Sequence, residues 1–186
     1  MDRREAIRRT AMIMGGVVSA PAIIGILDGC TAKPTIDWKP EFFTEDQGIL
    51  ITQVSEIIIP KTDTPGAKEV GVPGFIDSMV KDVFSEEDQE AFMKGLETFN
   101  EGARQAYGDN FTTLSPEEQA TYVKKVHDEA LDDGGKRPFI LKVKELTLLG
   151  FFTSEPGATQ VLQYEAVPGD YKGCLPLADV GKAWAT

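Results

Sequence analysis

Apolar residues recur at the 3.6-residue spacing of an α-helix through most of the chain after residue 42. Five helices are predicted from this spacing and from their start and end signals. The first follows a capping box at Thr44 and Gln47 and ends at Pro60, and the second runs from Pro73 to Phe84. The others are predicted after Ser85, from Ser115-Pro116 to Gly134-Gly135, and from about Pro138 to Thr153.

One apolar stripe on each helix is expected to face the core. In chain order the predicted stripes are Leu50, Val54, Ile57 and Ile58; Phe75, Met79 and Val83; Phe92, Leu96, Phe99, Ala103 and Tyr107; Ala120, Val123, His127 and Ala130; and Phe139, Val143, Leu146 and Leu149. Gly95 and Gly102 lie beside the third stripe, where two small residues seven positions apart predict a close helix crossing.

The chain after Ser154 loses the helical pattern because proline and glycine interrupt it. It still contains too many apolar side chains for a disordered tail, so it either wraps its own helices or docks on a partner. No run alternates with a period of two residues, which excludes a predicted sheet. The predicted fold is therefore all-α, a compact domain of about five helices with an extended, irregular C-terminal segment.

The composition restricts the class of protein. The 186 residues carry a net charge of −11 and contain one His. Such an acidic chain lacks the clustered Lys and Arg that bind nucleic-acid phosphates, and one His nearly excludes a His-based metal site. Residues 1–29 hold four Arg against three acidic residues, so the acidity belongs to the rest of the chain.

The first 29 residues resemble an export signal. Arg3 and Arg4 precede an uncharged run of 17 residues from Ala11 to Leu27, and a basic start before a moderately apolar run is typical of such signals. The arginine pair resembles the twin-arginine signal, a route for proteins exported already folded. An N-terminal core helix and a short membrane-spanning anchor are the alternatives.

Cys30 closes a stretch, Leu27-Asp28-Gly29-Cys30, that resembles the lipobox of bacterial lipoproteins, although Asp28 replaces the usual small neutral residue. We expect Cys30 to carry lipid, residues 30–41 to form a tether and residues 42–186 to form the folded domain. Cys174 is then alone in an oxidising compartment, which indicates a free thiol or an intersubunit disulfide. A Cys30–Cys174 bridge is the alternative.

The sequence contains no dinucleotide-binding, haem-attachment or Walker motif. His127 lies on or beside an apolar stripe, which favours a hydrogen-bonded core histidine over a general base. Asp63, in a loop rich in Thr and Pro, is interpreted as a loop-capping residue rather than a catalytic one. An acidic cluster is interpreted as a solvated helix end rather than a Ca²⁺ site: Asp128, Glu129, Asp132 and Asp133.

Several stretches of the body resemble the gluconate 2-dehydrogenase subunit 3 family. The first is Leu50 to Ala67, LITQVSEIIIPKTDTPGA, continued by GVPGFID from Gly71 to Asp77. The others are GFFTSEPGATQ from Gly150 to Gln160, YEAVPG from Tyr164 to Gly169 and YKGC from Tyr171 to Cys174. The resemblance covers residues 42–177 and the arginine-rich leader.

The resemblance implies a non-catalytic small subunit of a periplasmic sugar or sugar-acid dehydrogenase complex. It implies a large FAD-dependent partner of the glucose–methanol–choline type, and often a c-type cytochrome whose haem takes the electrons, with no cofactor or metal in this chain. The small subunit would carry the export signal for a partner that lacks one. The candidate partner contacts within the motifs are Asp63, Thr64, Pro65, Glu155, Tyr164 and Tyr171.

Two alternatives belong to other functional classes. A stand-alone periplasmic lipoprotein that binds a ligand or a partner would equally lack cofactor motifs. A small enzyme would use Asp63 or His127, and sugar oxidation by the purified chain alone would be needed to support it.

Overall fold

The computed structural model describes residues 35–132, 138–167, 169–170 and 173–185. Its helices are α1 (Glu45–Ile58), α2 (Val72–Asp82), α3 (Glu86–Tyr107), α4 (Pro116–Asp132), α5 (Phe139–Thr153) and the short α6 (Leu177–Val180). A 3-10 turn, Phe111–Thr113, lies between α3 and α4, and a π-helical turn, Gly157–Val161, follows α5. In these ranges there is no β-strand beyond one isolated bridge, so the predicted all-α fold is confirmed.

The predicted helix starts are formed by capping hydrogen bonds. At α1, Gln47 N–H donates to Thr44 Oγ1 at 3.4 Å and Thr44 N–H donates to Gln47 Oε1 at 2.8 Å. At α4, Glu118 N–H donates to Ser115 Oγ at 3.4 Å and Ser115 N–H donates to the Glu118 carboxylate at 3.0 Å. These bonds satisfy N–H groups that the first turn of a helix leaves without partners. The Ser115 hydrogen bonds, led by the one from its hydroxyl, also lower the pKa of Glu118.

Helix α5 is the centre of the domain, because it packs against α1, α2, α3 and α4. Its buried residues are Ile140, Val143, Leu146, Thr147, Gly150 and Phe151. The sequence of this helix, FILKVKELTLLGFFT, is apolar on nearly every side. A helix of this kind is normally covered all round, whereas one side of α5 is left exposed at Leu148, Leu149 and Phe152.

Three predicted inward stripes are wrong in part, and one of them is that of α4, where Ala120 is exposed. On α5, Leu149 is 45% exposed, because the core-facing side runs through Leu146 and Gly150 instead. In the second stripe, Val83 directly follows α2 and is 64% exposed, since the buried side of α2 is the neighbouring row at four-residue spacing. That row consists of Val72, Ile76 and Val80. When apolar residues occupy several sides of a helix, spacing alone does not select the one that packs.

An aromatic cluster fills the space between α3, α4 and α5. The Phe99 ring lies 5.1 Å from the Phe111 ring, 4.9 Å from Tyr122 and 5.7 Å from Phe139, centroid to centroid. Tilted and edge-on ring pairs at these separations are favourable beyond the area that they bury. The Tyr122 hydroxyl donates to the Phe99 carbonyl at 2.7 Å. Burial, followed by the charge of Glu129, raises the pKa of Tyr122 to about 12.

The predicted close crossing is found at Gly95, whereas Gly102 makes room for the end of a side chain from α4. A Cβ atom at Gly102 would lie 2.4 Å from the Tyr122 hydroxyl oxygen, and one at Gly95 would lie 2.7 Å from Phe139 Cβ. The missing side chain at Gly95 therefore lets α3 pack closely against α5, and the one missing at Gly102 leaves space for the Tyr122 hydroxyl of α4.

The 3-10 turn carries Phe111 into the core, where it is fully buried. Side-chain amides hold this turn: Phe111 N–H donates to Asn100 Oδ1 at 3.0 Å, and Gln119 Nε2 donates to the Phe111 carbonyl at 2.8 Å. Gln119 Nε2 also donates to Gln53 Oε1 of α1 at 3.2 Å. The inward side of α4 therefore includes Gln119 and Tyr122, whereas the predicted Ala120 is exposed.

Candidate partner interface

The Glu56 carboxylate holds the loop between α1 and α2 by accepting hydrogen bonds from its backbone. Glu56 accepts from Lys61 N–H at 3.0 Å and from Lys68 N–H at 2.9 Å, so it joins the two ends of the loop. A Cβ atom at Gly66 would lie 2.4 Å from Glu56 Oε1, so glycine leaves the space that the carboxylate occupies. The Lys61 ammonium, on the same loop, forms an ion pair with Glu69. The hydrogen bond of this pair lowers the pKa of the Glu69 carboxyl.

The tip of this loop holds three of the predicted partner contacts. Asp63 is exposed, and Thr64 and Pro65 are half-buried. Asp63 makes no hydrogen bond with another described residue, so its predicted capping role is not found there. The turn at the tip is closed instead by Thr62 N–H, which donates to the Thr64 carbonyl at 3.0 Å.

The segment before α1 is held by a second carboxylate, Asp77 of α2, which is 2% exposed. Asp77 accepts backbone N–H groups from Glu41 at 2.7 Å, from Phe42 at 3.2 Å and from Phe43 at 2.8 Å. Further out, the Lys81 ammonium pairs with Glu41 at 2.5 Å, and this hydrogen bond lowers the pKa of Glu41. The family-like motif GVPGFID contains Asp77, but its sequence does not indicate that Asp77 binds the backbone before α1.

The outward side of α5 is apolar. Leu148, Leu149 and Phe152 are 37%, 45% and 38% exposed, although each is a large hydrophobic side chain on one end of the helix. Phe152 packs edge-on against the buried Phe151, with ring centroids 5.3 Å apart. This patch adjoins the predicted contact Glu155, which is exposed. Contiguous exposed apolar surface of this kind is characteristic of a surface that another molecule covers.

The described part of residues 163–185, which we name the C-terminal arm, is closed at its base. Gln163 N–H donates to the Ala183 carbonyl at 2.8 Å, and Ala185 N–H donates to the Gln163 carbonyl at 2.9 Å. Lys182 Nζ donates to the Gln160 carbonyl at 3.0 Å. These bonds tie the end of the arm to the residues just after α5.

The apolar side chains of the C-terminal arm are exposed. Val167 and Leu177 are 82% and 88% exposed, and the other exposed ones are Tyr164, Leu175 and Trp184. The sequence left two alternatives for this segment, wrapping its own helices or docking on a partner. Since these side chains are not buried against the described helices, the structure favours the second. Cys174 lies in the same arm with an exposed free thiol.

His127 lies at the rim of a groove rather than in the core. Its Nε2 is 2.8 Å from the Lys144 ammonium, and its Nδ1 is 3.2 Å from Asp128 Oδ1. It is hydrogen-bonded as predicted but half-buried. No described Ser, Thr or Cys is hydrogen-bonded to it, and no group of three potential metal ligands occurs among the described residues.

Several predicted residues lie outside the described part of the chain. They are the arginine pair Arg3 and Arg4, the lipidation candidate Cys30 and the contact candidate Tyr171. Within the described ranges, no helix is both long and apolar enough to cross a bilayer.

The fold and this surface define a class, a small all-α domain that presents an apolar patch and an apolar arm. The model of the family described as gluconate 2-dehydrogenase subunit 3 matches residues 45–169, which is more than half of the chain. The chain belongs to this family, whose members are accessory subunits of a dehydrogenase complex. It is therefore a partner within a larger dehydrogenase complex. No curated protein and no solved structure matches the chain.

Proposed function

We propose that this chain is the non-catalytic small subunit of a periplasmic dehydrogenase that oxidises a sugar or a sugar acid. The observation that carries the proposal is the C-terminal arm, whose large apolar side chains are largely exposed. A subunit whose own chain leaves such an arm exposed gains stability when a larger chain covers it. Family membership supports a dehydrogenase as that larger chain.

The partner that we propose is a large FAD-dependent flavoprotein of the glucose–methanol–choline type. FAD binds to that partner, and in our proposal a c-type cytochrome subunit takes the electrons through its haem. Burying one large apolar side chain contributes about 1.5–3 kcal/mol. The arm exposes Tyr164, Val167, Leu175, Leu177 and Trp184, so covering it contributes favourable free energy that offsets part of the entropy lost on association.

The export role that we propose rests on Arg3 and Arg4, which head an uncharged run. A twin-arginine signal on this chain would carry a flavoprotein without its own signal, because that route accepts folded complexes. The test is co-expression of this chain with its proposed flavoprotein partner. Replacing Arg3-Arg4 by Lys-Lys should retain the sugar dehydrogenase activity in the cytoplasm. Unchanged periplasmic activity would refute the escort role.

Lipid attachment at Cys30 is a separate part of the proposal, and it rests on the lipobox-like stretch that ends there. A diacylated N-terminal cysteine would hold the complex on the membrane surface. Cys30→Ala should therefore move the exported protein from the membrane fraction to the soluble fraction. If the protein stays in the membrane fraction after this change, its membrane attachment does not depend on a lipid at Cys30.

An intersubunit disulfide at Cys174 is the third part. The thiol is exposed on the C-terminal arm, where a partner that covers the arm would lie against it. Each thiol would lose one hydrogen, and a protein disulfide of the periplasm would accept the two electrons and two protons. Non-reducing electrophoresis of the complex should show a heavier band that reductant removes and that Cys174→Ser lacks. A complex with no such band contains no intersubunit bridge.

A further inference from the structure

One groove on the surface is lined by three helices and has no role in partner binding as proposed above. Its volume is about 380 Å³, which is at the small end of the range for small-molecule sites. Its walls are Ile57 and Ile58 of α1, Ala120, Val123, Lys124 and His127 of α4, and Ile140 and Lys144 of α5. The groove therefore combines an apolar floor with three nitrogen-bearing side chains.

The two ammonium groups of the groove have no described acidic partner. Five other described cations, Lys61, Lys81, Arg104, Lys125 and Lys142, lie within 4.0 Å of a carboxylate. Exposed lysines such as Lys94 also form no ion pair with a described residue, so it is the apolar lining around Lys124 and Lys144 that sets these two apart. Lys144 instead lies 2.8 Å from His127 Nε2, and Lys124 forms no ion pair with a described residue. In a chain with 30 acidic and 19 basic residues, this leaves positive charge in an apolar groove that is not neutralised by a neighbouring carboxylate.

The imidazole fixes the direction of the Lys144 side chain. Because the ammonium donates to Nε2, Nδ1 carries the ring proton and donates it to Asp128 Oδ1 at 3.2 Å. An ammonium has three donors, so Lys144 retains two for a further acceptor after it has bonded to His127. That acceptor would lie at the polar side of the groove, above the apolar floor.

We propose that this groove binds a small carboxylate with an apolar body. The carboxylate accepts hydrogen bonds from Lys144 and Lys124, and the apolar body lies against Ile57, Ile58 and Ile140. Hydrogen bonds between oppositely charged groups are stronger than neutral ones, and partial burial reduces their screening by solvent. The apolar floor separates this ligand class from sugar acids, whose hydroxyl groups would be left without partners there.

The test is titration of the full chain with hexanoate and with hexanamide, which has the same body without the charge. NMR shifts of the His127 ring and of the Ile57 and Ile140 methyl groups report the site. Hexanoate should give saturable shifts, with an affinity about tenfold higher than that of hexanamide. Equal affinities, or the absence of saturable shifts with hexanoate, would overturn the proposal. Inorganic phosphate acting as well as hexanoate would also overturn it, because the apolar body would then contribute nothing.

Matched variants test which lysine side chains bind the carboxylate of the ligand. Lys144→Gln should weaken hexanoate binding about tenfold, and Lys124→Gln, at an exposed position, gives a second variant that does not disturb the core. Lys125→Gln is the control, since Lys125 lies on the same helix but faces Glu129 at 3.9 Å outside the groove. Hexanoate affinity that is the same in the Lys124 and Lys144 variants as in the control would contradict the assignment.

Discussion

At the scale of single residues, two buried polar side chains determine how distant segments are joined. Asp77 holds three consecutive backbone N–H groups of the segment before α1. Tyr122 donates from α4 to the Phe99 carbonyl of α3. Both side chains lie in the interior, where loss of a hydrogen-bond partner leaves the other group unsatisfied at a cost in stability.

Asp77→Asn tests the first of these contacts. The amide keeps the size of the side chain but replaces one acceptor oxygen by a donor that faces N–H groups. We expect the free energy of unfolding to fall by about 2–3 kcal/mol, as measured by urea denaturation. Asp82→Asn, at an exposed position of the same helix, should change it by less than about 0.5 kcal/mol. Equal effects of the two changes would show that the Asp77 clamp does not stabilise the fold.

Tyr122 predicts a stability change at high pH. Its pKa is raised from 10.0 to about 12 by burial, so above pH 10 the unfolded chain loses the phenol proton while the folded chain retains it. Stability is therefore complete below pH 10 and falls as the pH rises toward 12, by about 2–3 kcal/mol at most. Urea denaturation from pH 9 to pH 11.5 measures the slope. Tyr122→Phe should be less stable at pH 9 but should lack this contribution to the slope.

At the scale of elements, the helices were predictable because their signals are local. Thr44 with Gln47 and Ser115 with Glu118 form the caps that the sequence indicates, and α5 ends at Thr153 as predicted. The Phe111 turn was missed because it spans three residues and is held by amides from distant positions, Gln53 and Gln119 among them. No periodicity is available over so short a length.

The C-terminal arm shows a second limit of the sequence. Its apolar content indicated that something covers it, whereas only the structure shows that the described helices do not. The cover is a property of another chain, so no pattern in this one identifies it. For the same reason the sequence did not select the packed side of α5, whose residues are apolar both toward the core and toward the outside.

Leu177→Asp tests the arm as a contact element. Because Leu177 is 88% exposed, the free energy of unfolding of the chain alone should change by less than about 0.5 kcal/mol. Binding to the flavoprotein should weaken at least about tenfold, since a buried leucine contributes about 1.5–3 kcal/mol. Val83→Asp is the control, at an exposed apolar position of the α2–α3 junction outside the arm. If both variants bind as tightly as the unchanged chain, Leu177 lies outside the interface.

At the scale of the whole molecule, residues 35–185, as far as they are described, form a helical body with an exposed apolar surface. The body is built around α5, and the loop tip at Asp63, the outward patch at Leu148 and the C-terminal arm are its candidate contacts. Family membership makes the chain part of a dehydrogenase complex. The central claim is that the C-terminal arm is the element that the larger subunit covers.

Hydrogen–deuterium exchange, compared between the chain alone and its co-expressed complex with the proposed flavoprotein partner, tests this claim most directly. The account predicts slower exchange on complex formation in peptides that cover residues 163–167 and 173–185, with little change at the exposed α2–α3 junction around Val83. A stable complex in which the arm exchanges as fast as in the chain alone would contradict it.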